Sequence, residues 1–193
     1  MRRMDLRSWL LDAHADLRGR LFASVISLVP AERWTERADG GGSSVAWLLL
    51  HLARHQDLAI ATAIRNQPPL FLTHRERLGL ADAPTWAGLT ESEHPDQSAA
   101  PAAQALIDYV DAVFVATAAW LDKLSAMALE SIPDTRRRLE VKAELSPDEV
   151  GWLFHMWEGK PVDWFVQWPV LGHGNAHVGE AISVRNRMGL SPF

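Results

Sequence analysis

Gly172-His173-Gly174-Asn175-Ala176-His177-Val178-Gly179-Glu180 is the stretch that decides how this chain is read. On a helix each residue turns about 100°, so His177 falls about 40° from His173 and one turn along, with Glu180 about 20° to the other side. Two imidazoles one turn apart on one face form a bidentate metal chelate. The same spacing also suits two buried, hydrogen-bonded histidines, so a metal site needs ligands from elsewhere. Gly172, Gly174 and Gly179 each cost about 1 kcal/mol inside a helix. Their clustering predicts that something packs close against this backbone.

The final helix runs from Pro161 to about Met188, with Gly189 as its stop and Pro169 kinking it just before the histidines. Trp164 and Trp168 point away from the His173 side on a continuous helix. With Trp152, Phe154 and Trp157 they are expected to pack a short helix, 147–158, onto the bundle. Ser146-Pro147-Asp148-Glu149 starts that helix with a cap, a first-turn proline and a capping-box acid. Residues 139–145 alternate apolar and polar, which reads as an extended stretch or a short helical turn.

Three further amphipathic helices precede it. Residues 4–29 bring Leu6, Leu10, Leu17, Leu21, Ser24 and Leu28 to one face, with His14 at its edge as a boundary or core histidine. A helix from about 44 to 65, capped by Ser43 or Ser44, aligns Trp47, Leu48, His51, His55 and Leu58. His51 is central on that face. His55, one turn on, reads first as a core histidine and otherwise as a ligand-supporting group or substrate contact. Asp57, about 120° from His51, reads as a surface charge. Pro101 opens a third long helix to about residue 128, whose stripe from Leu106 to Leu124 includes Tyr109 and no histidine. Residues 66–100, broken by Pro68, Pro69, Pro84 and Pro95, have one short turn at 73–80 with Thr73 as cap; His74 and His94 are expected to be exposed.

The totals narrow the function. A chain of 193 residues with 48% hydrophobic and 22% charged residues fits one domain, 1–193, with a sizeable core. The net charge is −5, and Arg136-Arg137-Arg138 is hemmed by acids, which argues against nucleic acid as a partner. No apolar run of about 18 residues suggests a membrane span, and charges through the first helix argue against a signal peptide. With no cysteine, there is no thiolate ligand, no disulfide and no cysteine nucleophile, which fits a cytoplasmic protein. Nine tryptophans point to large aromatic cores or interfaces and admit a homodimer.

Four long helices without a sustained strand pattern predict an all-α, four-helix bundle, a fold that builds metal sites from side chains on facing helices. His51 on one inward face and His173 and His177 on another give three imidazoles, suited to Zn or Ni first and to Fe or Cu as well. Three protein ligands leave a coordination position open, as catalytic sites do. Glu180 is placed to orient His177 or to act as a general base, against the alternative of a plain surface acid.

Two segments resemble a known family. Ser44-Val45-Ala46-Trp47-Leu48-Leu49-Leu50-His51-Leu52 resembles the second-helix motif of the DinB/YfiT-like superfamily. Gly172 to Ile182, followed by Arg185 and Met188-Gly189-Leu190, resembles its last-helix motif. The resemblance implies an up-down-down-up four-helix bundle with a divalent transition metal held by three histidines, here His51, His173 and His177. Relatives include mycothiol- and bacillithiol-dependent transferases and a maleylpyruvate isomerase, and many are dimers. The long 66–100 connection and the Trp-rich 129–160 region depart from that pattern.

The leading expectation is therefore a metal-dependent S-transferase or isomerase that uses a low-molecular-weight thiol on a small-molecule substrate, with Glu180 or His55 handling protons. A metal-dependent hydrolase and a non-enzymatic bundle are the alternatives.

Overall fold

The computed structural model describes residues 5–90 and 102–193, and every regular element among them is helical. Four long segments form a bundle. Helix α1, Leu6–Leu21, continues as a π-helical turn over Phe22–Ile26. Helix α2, Val45–Asp57, continues as π-helix over Leu58–Ile64. After a short α3, Phe71–His74, comes α4, Ala103–Leu121. Short helices α5, Ala126–Leu129, and α6, Thr135–Ala143, lead to α7, Pro147–Trp157. The last segment is α8, Val162–Phe165, a π stretch over Val166–Gly172, and α9, His173–Arg187. α2 packs on α4 and α9, and α1 packs on the same two, so α1 and α2 lie diagonally across the bundle.

The caps follow the sequence. Asp5 accepts from Ser8 N, Ser44 from Trp47 N, and Ser146 from Asp148 N at the starts of α1, α2 and α7. Past Leu21 the expected stripe slips by one residue: Val25 and Val29 are buried instead of Ser24 and Leu28. The π turn at Phe22–Ile26 holds an extra residue per turn and so rotates everything after it. At the other end, Leu6 is half exposed.

The third long helix is shorter than expected, ending at Leu121, and Pro101 lies outside the described residues, as do His94 and Pro95. Among the described residues α4 alone is long and apolar enough for a membrane span by length and mean hydropathy (1.3). It buries Leu106, Tyr109, Val110, Val113, Phe114 and Leu121 in the bundle, and its Asp108 and Asp111 pair with Arg77 and Arg18. That is the placement of a core helix.

The connection after α2 is not loose. Phe71, Leu78, Leu80 and Leu89 are buried, and Gly79 takes a left-handed turn, φ +73. α3 starts at Phe71, two residues before the expected Thr73 cap, because a distant residue caps it: both carboxylate oxygens of Asp57 accept hydrogen bonds, from Leu70 N and Phe71 N at 2.9 Å. Asp57 is thus buried rather than a surface charge, and it also accepts from the buried Tyr109 hydroxyl at 2.9 Å. All thirteen residues of α2 are buried, so no face of this helix is a surface.

Residues 135–143 form a regular helix, which corrects the extended reading. Thr135, Leu139 and Ala143 recur every fourth residue and are the buried ones. Leu139 joins Leu58, Leu153, Phe154, Trp157 and Phe165 in a second apolar cluster. This cluster seats α6 and α7 on the C-terminal half of the α2 segment. Arg138 adds a cap, donating to the Ala63 and Ile64 carbonyls at 2.7 and 3.0 Å.

Candidate metal centre

The site forms where α2 faces α9. His51, His173 and His177 are all buried, and their ligating nitrogens lie within 4.8 Å of one another. His173 Nε2 is 3.2 Å from His51 Nε2 and 3.1 Å from His177 Nε2. Trp47, one turn before His51, stacks on its ring at 4.3 Å between centroids. Gly174 lets α1 in: a Cβ there would stand 2.7 Å from Leu17 Cδ2. A Cβ on Gly172 would meet Trp168, whereas one on Gly179 would meet nothing, so close packing explains two of the three glycines.

The far side of each ring decides its tautomer. His51 Nδ1–H donates to the Gly88 carbonyl at 2.8 Å. His177 Nδ1–H donates to the Glu180 carboxylate at 3.0 Å. Both therefore present a bare Nε2 to the centre, and His173 Nε2 sits between them. A proton on His173 Nε2 can serve one neighbour and not the other, and its buried Nδ1 has no hydrogen-bond partner. A cation would resolve this arrangement, because three lone pairs could then point at one ion. The spacing agrees, since nitrogens around a tetrahedral ion bound at about 2.0–2.1 Å lie about 3.3 Å apart. Burial pushes His51 and His173 down to about 3, the remaining shift coming mainly from neighbouring histidines. Those two rings are thus neutral, as ligands must be.

One anchor was not legible in the sequence. Arg54, on α2 between His51 and His55, is buried and donates from Nε to the Ala87 carbonyl at 3.1 Å and from Nη2 to the Thr85 carbonyl. It lies over the Phe71 ring at 3.7 Å. Thus Arg54 ties down the 85–89 strap that carries the Gly88 acceptor of His51 and the Leu89 carbonyl, which accepts from His55 Nε2 at 3.2 Å. Gly88 has φ +77 and leaves no room for a side chain beside Leu50.

A cavity of about 420 Å³ opens beside the cluster. His51, His55 and His173 form its floor, and Trp152, Met156, Trp157 and Trp168 are prominent in its walls. The expectation that Trp152 and Trp168 serve only helix packing is corrected. The π stretch Val166–Gly172, which contains Pro169, turns fewer degrees per residue than an α-helix and brings Trp168 within 6.2 Å of the His173 ring. Trp164, by contrast, packs edge-on to Phe165 as expected. His55 is buried, 4.3 Å from the His173 ring, and burial pushes it well below the ordinary histidine value. His74 is half-buried against Tyr109, outside the cluster, and not exposed as expected.

The comparisons agree with this picture. The family model of the DinB superfamily matches residues 14–159, which include His51 and stop short of His173 and His177. No curated protein matches the chain. Among solved structures it is similar to the conserved protein of locus from Enterococcus faecalis, with TM-score 0.68 and 20% identity over 96% of this chain and 99% of that one. That likeness extends the shared fold through the last helix. The family match over most of its length and an all-helical bundle with a three-histidine cluster lead to one conclusion: the chain belongs to the DinB superfamily.

Proposed function

We propose that this protein is a metal-dependent enzyme that transfers a low-molecular-weight thiol to a small electrophile, or isomerises a substrate by reversible thiol addition. One observation carries the reading: three imidazoles converge beside an apolar cavity whose floor includes His51 and His173, in a chain that has no cysteine of its own. His51, His173 and His177 would hold the ion. A divalent ion held there supplies a Lewis acid that keeps a thiol ionised at neutral pH.

The other side chains then have separable duties. The Gly88 carbonyl and Glu180 fix the rings of His51 and His177 from behind, which makes Glu180 a positioning residue on the side away from the cavity. His55 faces the cavity. Its Nε2–H is committed to the Leu89 carbonyl, so Nδ1 is the acceptor that would orient the incoming S–H, while the ion would favour release of its proton to solvent. The indoles keep water from competing with the sulfur. In transfer, a C–S bond forms at the electrophilic carbon while the leaving group departs with its electron pair.

The test is conjugation of 1-chloro-2,4-dinitrobenzene with mycothiol, bacillithiol and glutathione, using protein purified without a histidine tag and reconstituted with Zn or Ni. Turnover with at least one thiol is expected, lost on chelation and in His51→Ala. Metal-independent rates, or none with any thiol, would overturn the reading.

A further inference from the structure

The walls of the cavity say more about its ligand than the floor does. Trp152, Met156 and Trp168 remain 38%, 39% and 45% exposed around its mouth, while Trp157 behind them is only 1% exposed. Large apolar side chains left this open beside a recess mark a surface that a ligand covers. Three of the walls are indoles, held near His55 and His173 at 5.9–6.2 Å between ring centroids. Their π faces favour stacked or edge-on aromatic partners over aliphatic ones, by about 0.5–1.5 kcal/mol per pair.

Charge is missing as well. No lysine or arginine lines the cavity among the described residues, and residues 91–101 contain none. The buried Arg54, the residue before His55, is committed to the Thr85 and Ala87 carbonyls and to the Phe71 ring. An anionic group on a ligand would therefore enter without a partner on the walls.

We infer that the cavity walls bind a neutral, flat aromatic molecule of one or two fused rings and, in the metal-free protein, disfavour carboxylate-bearing ones. This rests on the thiol-transfer reading only for calling that molecule the electrophile. The binding itself needs no chemistry and is measurable apart from it.

Two fluorescent probes of one skeleton, added to the chelator-treated, metal-free protein, test it. N-phenyl-1-naphthylamine is neutral, and 1-anilinonaphthalene-8-sulfonate adds a single anionic group. The neutral probe is expected to bind one per chain and the sulfonate about tenfold more weakly or worse. Trp152→Ala and Trp168→Ala should each weaken the neutral probe by about tenfold, whereas Trp9→Ala, in the separate groove beside α1 and α5, should leave it unchanged. In the unmutated protein, 1-naphthol should displace the probe at several-fold lower concentration than its decahydro counterpart, which needs no variant to fold. Equal binding of the sulfonate, insensitivity to both tryptophans, equal competition by the saturated alcohol, or binding lost as the protein self-associates would each overturn the inference. Elemental analysis runs alongside. Probe binding without metal uptake would sink the metal-thiol reading and leave the aromatic site standing; metal uptake without probe binding would do the reverse.

Discussion

The histidines of this protein differ in what their second nitrogen does, and that difference sorts their roles. His51 and His177 give one N–H away, to a carbonyl and to a carboxylate, and aim the other nitrogen at the centre. His14 uses a ring nitrogen differently. Its Nε2 accepts from the Gln56 amide at 3.0 Å, and Gln56 in turn donates to Thr117 at 2.9 Å, all three buried between α1, α2 and α4. Burial, helped by the Arg18 charge, holds His14 at about 4. Because an unfolded histidine titrates near 6.5, the unfolded chain takes the proton first, and His14 costs stability as pH falls from about 6.5 toward 4 while costing nothing above that window. The slope from this one group is about 1.4 kcal/mol per pH unit. His14→Gln keeps an acceptor for Gln56 and removes the titration. Urea unfolding at a series of pH values should show the wild type losing stability relative to the variant below about pH 6.5. Parallel curves would mean that His14 is already protonated or exposed.

At the scale of elements, what the sequence revealed and what it hid follow from helix surroundings. The histidine triad was legible because it needs only helical spacing on two inward faces. Asp57 was not, because an angular argument assumes that a helix has an outside, and α2 has none. Trp168 was misplaced because 100° per residue fails across the π stretch Val166–Gly172, and the seven-residue alternation at 139–145 was too short to separate period 2 from period 4. The strap 85–89 was invisible for a different reason: it acts through backbone carbonyls, which no side-chain pattern announces. Gly88 tests whether that strap matters to the centre. A Cβ there would carry φ +77 and stand 2.9 Å from Leu50 Cγ. Gly88→Ala should cost about 1–3 kcal/mol and displace the carbonyl that orients His51, so that zinc affinity falls as well. Gly79 has φ +73 with nothing near its missing side chain. Gly79→Ala should therefore cost only the backbone strain, about 1–2 kcal/mol, and leave zinc affinity unchanged. Chelator competition on both variants separates the two effects, and an unchanged affinity in Gly88→Ala would show that His51 holds its orientation without the strap.

Across the whole molecule a metal-loaded centre would act as a clasp. α2 supplies one imidazole and α9 supplies two, and these helices belong to segments more than a hundred residues apart in the chain. An ion bound there would join the second and last long segments, and it would bind the folded bundle far better than the unfolded chain. Linkage then sets the size of the effect: free metal at about 100 times its dissociation constant stabilises the fold by about 2.7 kcal/mol. For a chain of this size each kcal/mol moves the midpoint by about 2–4 °C, so loading with Zn or Ni should raise Tm by about 5–10 °C and a chelator should reverse it. His177→Ala removes one ligand without creating a bare lone pair, because the imidazole leaves with its nitrogens. The metal-free variant should melt close to the metal-free wild type, and the added ion should shift it little. Differential scanning calorimetry with and without metal reads both quantities. The same Tm rise in His177→Ala as in the wild type would mean that the ion binds elsewhere, and that the three imidazoles meet only as core packing.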